Sequence, residues 1–82
     1  MRNLGPRSRT WLARQGVHDL DGLRRHDPFR LYARLLAGGV PANLNLLYAL
    51  IGAIEDRDWR EVQRSDRSSI LLRLDDMGLA PR

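Results

Sequence analysis

The chain has 82 residues, fourteen arginines, no lysine, no cysteine and a net charge of +4. That length supports one small domain with a modest core, here expected over residues 1–82, and the missing thiols exclude disulfides and cysteine chemistry. LNLLYALIGAI is far short of the roughly 20 apolar residues of a membrane helix, and MRNLGPRSRT lacks the apolar region of a secretory signal, so no membrane role and a cytoplasmic location are expected.

Gly and Pro punctuation predicts five short helices. Gly5 precedes Pro6, and proline suits the first helical position because its missing N–H has no intrahelical partner there. This first helix runs to about Gln15, where Gly16 supplies a left-handed end. Asp19 then caps a short second helix that buries Leu20 and Leu23. Asp27-Pro28 repeats the start signal, and Phe29, Tyr32, Ala33 and Leu36 follow at amphipathic helical spacing, with Arg30 and Arg34 on the wet side. Gly38-Gly39 ends that helix and Pro41 extends the connection.

Asn43 is the expected cap of a fourth helix, LNLLYALIGAIE, which is apolar nearly all round and so belongs at the centre of a bundle. Asp58 or a neighbour begins a turn carrying Trp59 and Val62. Ser65 is then expected to cap the last helix, with Ile70, Leu71, Leu74 and Met77 as its buried stripe and Gly78 as its end. No segment alternates as a strand does. The fold class is all-α, a compact bundle of about five short helices.

The charge is uneven. Residues 1–34 hold eight arginines against three aspartates, while residues 35–82 hold six arginines against seven acids. A basic end of this kind suits a polyanion. At Gly5-Pro6-Arg7-Ser8, the first N–H groups of a helix are unpaired and carry the positive end of its dipole. A glycine before them lets another backbone approach, and an early arginine adds full charge, which together make an anion site. Such a helix start occurs in helix-hairpin-helix domains, where it holds a backbone phosphate.

The candidate nucleic-acid-binding residues are Gly5, Pro6, Arg7, Ser8, Arg9, Arg14, Arg24 and Arg25. Gly5, Arg7 and Ser8 would meet one phosphate of duplex DNA, while Arg14, Arg24 or Arg25 would touch neighbouring backbone. Arg7 and Arg14 share one side of the first helix and Arg9 points away from them. Such contacts are independent of sequence and sensitive to salt. The plainer alternative is a capped helix with solvated cations.

Trp11 and Trp59 read as packing residues, and Asn45 as a residue that bonds local backbone near a helix start. His18 and His26 lie eight apart without a nucleophile motif, Asp75 and Asp76 diverge, and no His-x-x-x-His spacing occurs. Neither an enzyme, a metal site nor a cofactor is expected.

NLGPRSRTWLARQGV, LYARL, NLNLLYALIGAI, DWREV and LLRL, in this order from Asn3 to Leu74, resemble the C-terminal domain of the TfoX/Sxy family. The resemblance implies a five-helix domain related to helix-hairpin-helix modules, here as a stand-alone short chain. It also implies a bacterial setting, in which full-length members regulate competence genes with the cyclic-AMP receptor protein. The reading is a monomeric regulatory adaptor that contacts nucleic-acid backbone, with a possible protein partner such as a transcription factor. The competing reading is a protein-interaction module without nucleic-acid binding, its arginine-rich end meeting an acidic surface and exposed Leu31 or Tyr48 serving as anchors.

Overall fold

A computed structural model of the chain describes residues 2–81; Met1 and Arg82 lie outside the described residues. Five helices follow in order: α1 (Pro6–Arg14), α2 (Leu20–Arg24), α3 (Pro28–Ala37), α4 (Leu44–Glu55) and α5 (Trp59–Asp76). Among the described residues there is no strand, so the domain is an all-α bundle.

Short polar side chains set most of the boundaries. The carboxylates of Asp19 and Asp27 accept from the Gly22 and Phe29 amides at 2.7 and 2.8 Å, and the Asn43 carboxamide accepts from the Asn45 amide at 2.9 Å. Each satisfies an N–H that the helix cannot pair internally. Gly16, Gly39 and Gly78 take positive φ just beyond the ends of α1, α3 and α5, where a side chain would be strained.

α4 runs through the middle. Leu46, Leu47, Tyr48, Ala49, Leu50, Ile51, Gly52 and Ala53 are all buried, as a helix apolar all round requires. α3 and α5 pack on it, with Leu12, Val17 and Leu23 closing the core from the N-terminal side. Gly52 is needed because the chain folds back over it. A Cβ there would overlap the Arg57 carbonyl oxygen and press on Asn3 Nδ2.

The structure corrects several sequence expectations. α5 is one continuous helix of 18 residues, capped by Asp58, whose carboxylate accepts from the Arg60 amide at 2.8 Å. Ser65 caps nothing; it is an exposed residue inside that helix. Val62, Ile70 and Leu74 form its buried stripe, whereas Leu71 is half-buried and Met77 is exposed.

On α3 the core-facing arc is rotated toward Leu31 and Leu35, leaving Ala33 and Leu36 half-buried. Leu31 and Tyr48, expected as exposed anchors, are therefore core residues. Leu31 is fully enclosed, and Tyr48 lies within the core cluster around α4 with 2% of its surface accessible. Among the described residues the exposed large apolar side chains are instead Leu72, with 69% of its surface accessible, and Met77, with 37%. Asn45 is exposed, and its main-chain amide, not its side chain, makes the capping bond.

Two ionic clusters brace the outside. Arg57 pairs with Glu55 at 2.7 Å, Asp66 at 2.8 Å and Glu61 at 3.3 Å, tying the α4–α5 turn to the body of α5. Arg73 pairs with Asp27 and lies over the Phe29 ring at 4.2 Å, joining α5 to the start of α3. The Arg57 hydrogen bond and charge hold the Asp66 carboxyl below its ordinary value, against a smaller opposing effect of partial burial. Partial burial pushes Asp27 upward, but the Phe29 amide, the Arg73 guanidinium and the Arg30 amide together outweigh it and hold it low.

Candidate nucleic-acid interface

The start of α1 differs from the other four. Its N-cap is Gly5, in extended backbone, and no side chain accepts from the first amides. Pro6 has no N–H to satisfy. The Gly5 carbonyl accepts from Arg9 at 3.0 Å, as the first helical bond should. That leaves the amides of Arg7 and Ser8 without a side-chain acceptor, at the end where the dipole is positive.

No acidic residue stands in this first turn, whereas Arg7 and Arg9 do. Each cation at a helix start opposes the dipole by typically ~0.3–1 kcal/mol. An aspartate at the cap, the solution used by α2, α3 and α5, would improve folding. The sequence instead gathers uncompensated positive charge around open donors.

The approach is unobstructed. A Cβ built on Gly5 would meet no other atom within 4 Å. The tail from Leu79 to Pro81 borders a depression with Tyr32, Ala42, Asn43 and Leu44, and none of these tail residues lines the groove that holds Arg7 and Ser8.

Beside this helix start runs an open groove of about 380 Å³. Asn3, Arg7, Ser8 and Trp11 form the wall from the N-terminal segment and α1. Asn43, Asn45, Leu46 and Ala49 form the wall from α4, and Trp59 reaches in from the start of α5. The α4 end of the groove is already satisfied. Asn43 caps its own helix, and its amide donates to the Tyr32 hydroxyl at 3.2 Å. Burial pushes the Tyr32 hydroxyl above the usual phenol value, so it stays neutral. Of the three helix starts on the groove, those of α4 and α5 are capped by Asn43 and Asp58, and α1's is the unfilled one.

The sequence-predicted residues divide. Arg7 and Ser8 line the groove, with Gly5 and Pro6 immediately before them in the chain. Arg9 is exposed one residue further on and does not line it. Arg14 ends α1, about 10 Å along the helix axis from Arg7. Arg24 and Arg25 are exposed at the end of α2, and Arg25 shares a separate depression with His18, Asp19 and Asp21.

Sequence reasoning did not place Asn3, Asn43 and Asn45 here, nor Trp11 and Trp59. The two tryptophans do pack half-buried against the core, as expected, but they also line this groove.

A family model described as the TfoX C-terminal domain matches residues 1–74. The chain belongs to this family. The match includes α1 to α4 and α5 as far as Leu74, so the groove and the open helix start both lie in the TfoX C-terminal domain. Membership suggests a small, competence-related regulatory domain, and the family is not one of known enzymes. No curated protein and no solved structure matches the chain. Among the described residues, no helix is long and apolar enough to cross a membrane, and no group of His, Asp and Glu is placed to hold a metal ion.

Proposed function

We propose that this TfoX C-terminal domain is a non-enzymatic regulatory adaptor that grips the phosphate backbone of duplex DNA at the start of α1. The observation that carries this reading is the helix start itself. Two unpaired amides, at Arg7 and Ser8, are reinforced by the Arg7 guanidinium and left uncapped by any side chain. A phosphate oxygen placed there accepts from backbone N–H groups and neutralises a charge that otherwise opposes the dipole. The carboxamide N–H groups of Asn43 and Asn45 offer further donors along the groove, and none of these contacts reads a base.

Arg14, Arg24 and Arg25 extend the positive surface without entering the groove, so they act on adjacent phosphates by long-range attraction. The adaptor serves competence-related transcription in a bacterial cytoplasm, alongside a protein partner such as a transcription factor.

The test is a titration of a labelled duplex at low ionic strength, followed by amide NMR. Arg7 and Ser8 shift first, binding weakens steeply as salt rises, and Arg7→Glu removes it while the circular dichroism spectrum is unchanged. Absence of any shift in dilute buffer would sink the nucleic-acid reading.

A further inference from the structure

We infer that the exposed face of α5 is a self-association surface that pairs antiparallel with α5 of a second copy. The inference is independent of the reading proposed for α1.

α5 has 18 residues and so spans about 27 Å. Its inner face carries Val62, Ile70 and Leu74. On the outer side Arg64, Ser68, Leu71 and Asp75 follow at intervals of four, three and four. That spacing keeps residues in line along one side of a helix and is the pattern of a coiled-coil seam. Arg64, Ser68 and Asp75 are exposed and Leu71 is half-exposed, with Leu72 beside the seam at 69% exposure. Ser68, Leu71, Leu72 and Asp75 line an open, largely apolar depression that the tail borders at Ala80 and Pro81.

Charge decides the occupant and its direction. The outward cations of the first half of α5 are Arg60, Arg64 and Arg67; the outward anions of its last turn are Asp75 and Asp76. Among the described residues, none of these five forms an ion pair within the chain. The neighbouring acids Glu61 and Asp66 are engaged by Arg57. A helix basic at one end and acidic at the other is complementary to its own reversed copy.

With the two-fold axis midway between Ser68 and Leu71, each Leu71 meets the second copy's Ser68. Each Arg64 meets the second copy's Asp75, and both Leu72 side chains cover the central layers. The small Ser68 lets the helices approach around Leu71. A parallel pair would instead set Arg64 against Arg64 and Asp75 against Asp75. The self-complementary arrangement is isologous, so it closes at a dimer. The seam runs only from Arg64 to Asp75, about three turns of one helix with Leu71 and Leu72 as its large apolar side chains, so the dimer is weak. This departs from the monomer expected from sequence.

Sedimentation equilibrium of the full chain over roughly 0.01–1 mM reads the proposal, with dimer expected to accumulate toward the upper end. Leu72→Glu, at an exposed site, raises the dissociation constant about tenfold or more. Arg64→Asp and Asp75→Arg each weaken self-association, because each sets like charges together twice per dimer. An equimolar mixture of those two variants restores a dimer, now of unlike chains. A wild-type chain that stays monomeric at 1 mM, or charge reversals that leave the dimer unchanged, overturns the proposal.

Discussion

The Asn3 carboxamide donates to the main-chain carbonyl of Arg57 at 2.8 Å, joining positions 54 apart in sequence directly over Gly52. This contact fixes the segment before α1 against the α4–α5 turn, so the groove depends on it at one end. Gly52→Ala forces a methyl group into the Arg57 carbonyl, and the backbone must move. A loss of about 1–3 kcal/mol in chemical denaturation follows, as for other overpacked sites. Asn3→Ala added to it gives no rescue, because the main-chain oxygen stays in place. A double variant as stable as wild type would show that the turn yields more easily than its packing implies.

The cap of α5 gives a second expectation. Asp58→Ala removes the acceptor for the Arg60 amide and costs about 1 kcal/mol. Ser65→Ala, seven residues on and exposed within the same helix, is neutral or stabilising by up to about 0.5 kcal/mol because alanine is the better helix former. Urea midpoints of the two variants compare the starts directly. Reversed effects would restore the shorter helix expected from sequence.

These positions also show what the sequence could reveal. The bounds of α4 coincide with LNLLYALIGAIE because its apolar run is closed by strong local signals. The caps at Asp19, Asp27 and Asn43 were legible for the same reason: each bond spans two or three residues. Ser65 misled because serine, aspartate and arginine dilute the apolar pattern of α5, and packing on α4 keeps the helix continuous. Leu31 misled because period alone does not say how widely α3 is covered. The open donors at Arg7 and Ser8 were legible from Gly5-Pro6, but the groove was not. Arg7 and Asn45 belong to helices 38 positions apart, and no local pattern records that they share a wall.

Acid should weaken the fold through its ion pairs. Asp66 and Asp27 are held below the ordinary value near 3.8. Their contribution is therefore complete above that value and fades as pH falls through the lower folded-state values. Tm is expected to be level near neutrality and to fall as the pH drops below the ordinary value of 3.8. Arg57→Met removes the group that holds Asp66 low, so the variant melts lower at pH 6 and loses less on further acidification. An acid slope identical to wild type would mean that the Arg57 cluster is too well solvated to count.

The N-cap of α1 separates folding from binding most sharply. Gly5→Asp places a carboxylate at an extended position with open space around it, where it accepts from the first amides as Asp19 and Asp27 do elsewhere. Replacing a glycine cap gains a few tenths of a kcal/mol, and a negative charge at the dipole adds its share, so the variant is more stable by about 0.5–1 kcal/mol. The same carboxylate occupies the donors that the proposed phosphate needs and repels it. Duplex binding at low salt is then lost in a protein that melts higher than wild type. Arg25→Glu serves as the contrast, since Arg25 sits with Asp19 and Asp21 away from the groove and its reversal only lowers affinity modestly. Were Gly5→Asp to bind duplex as well as the wild-type chain, the start of α1 would be an ordinary helix end and the positive surface elsewhere would have to carry the contact.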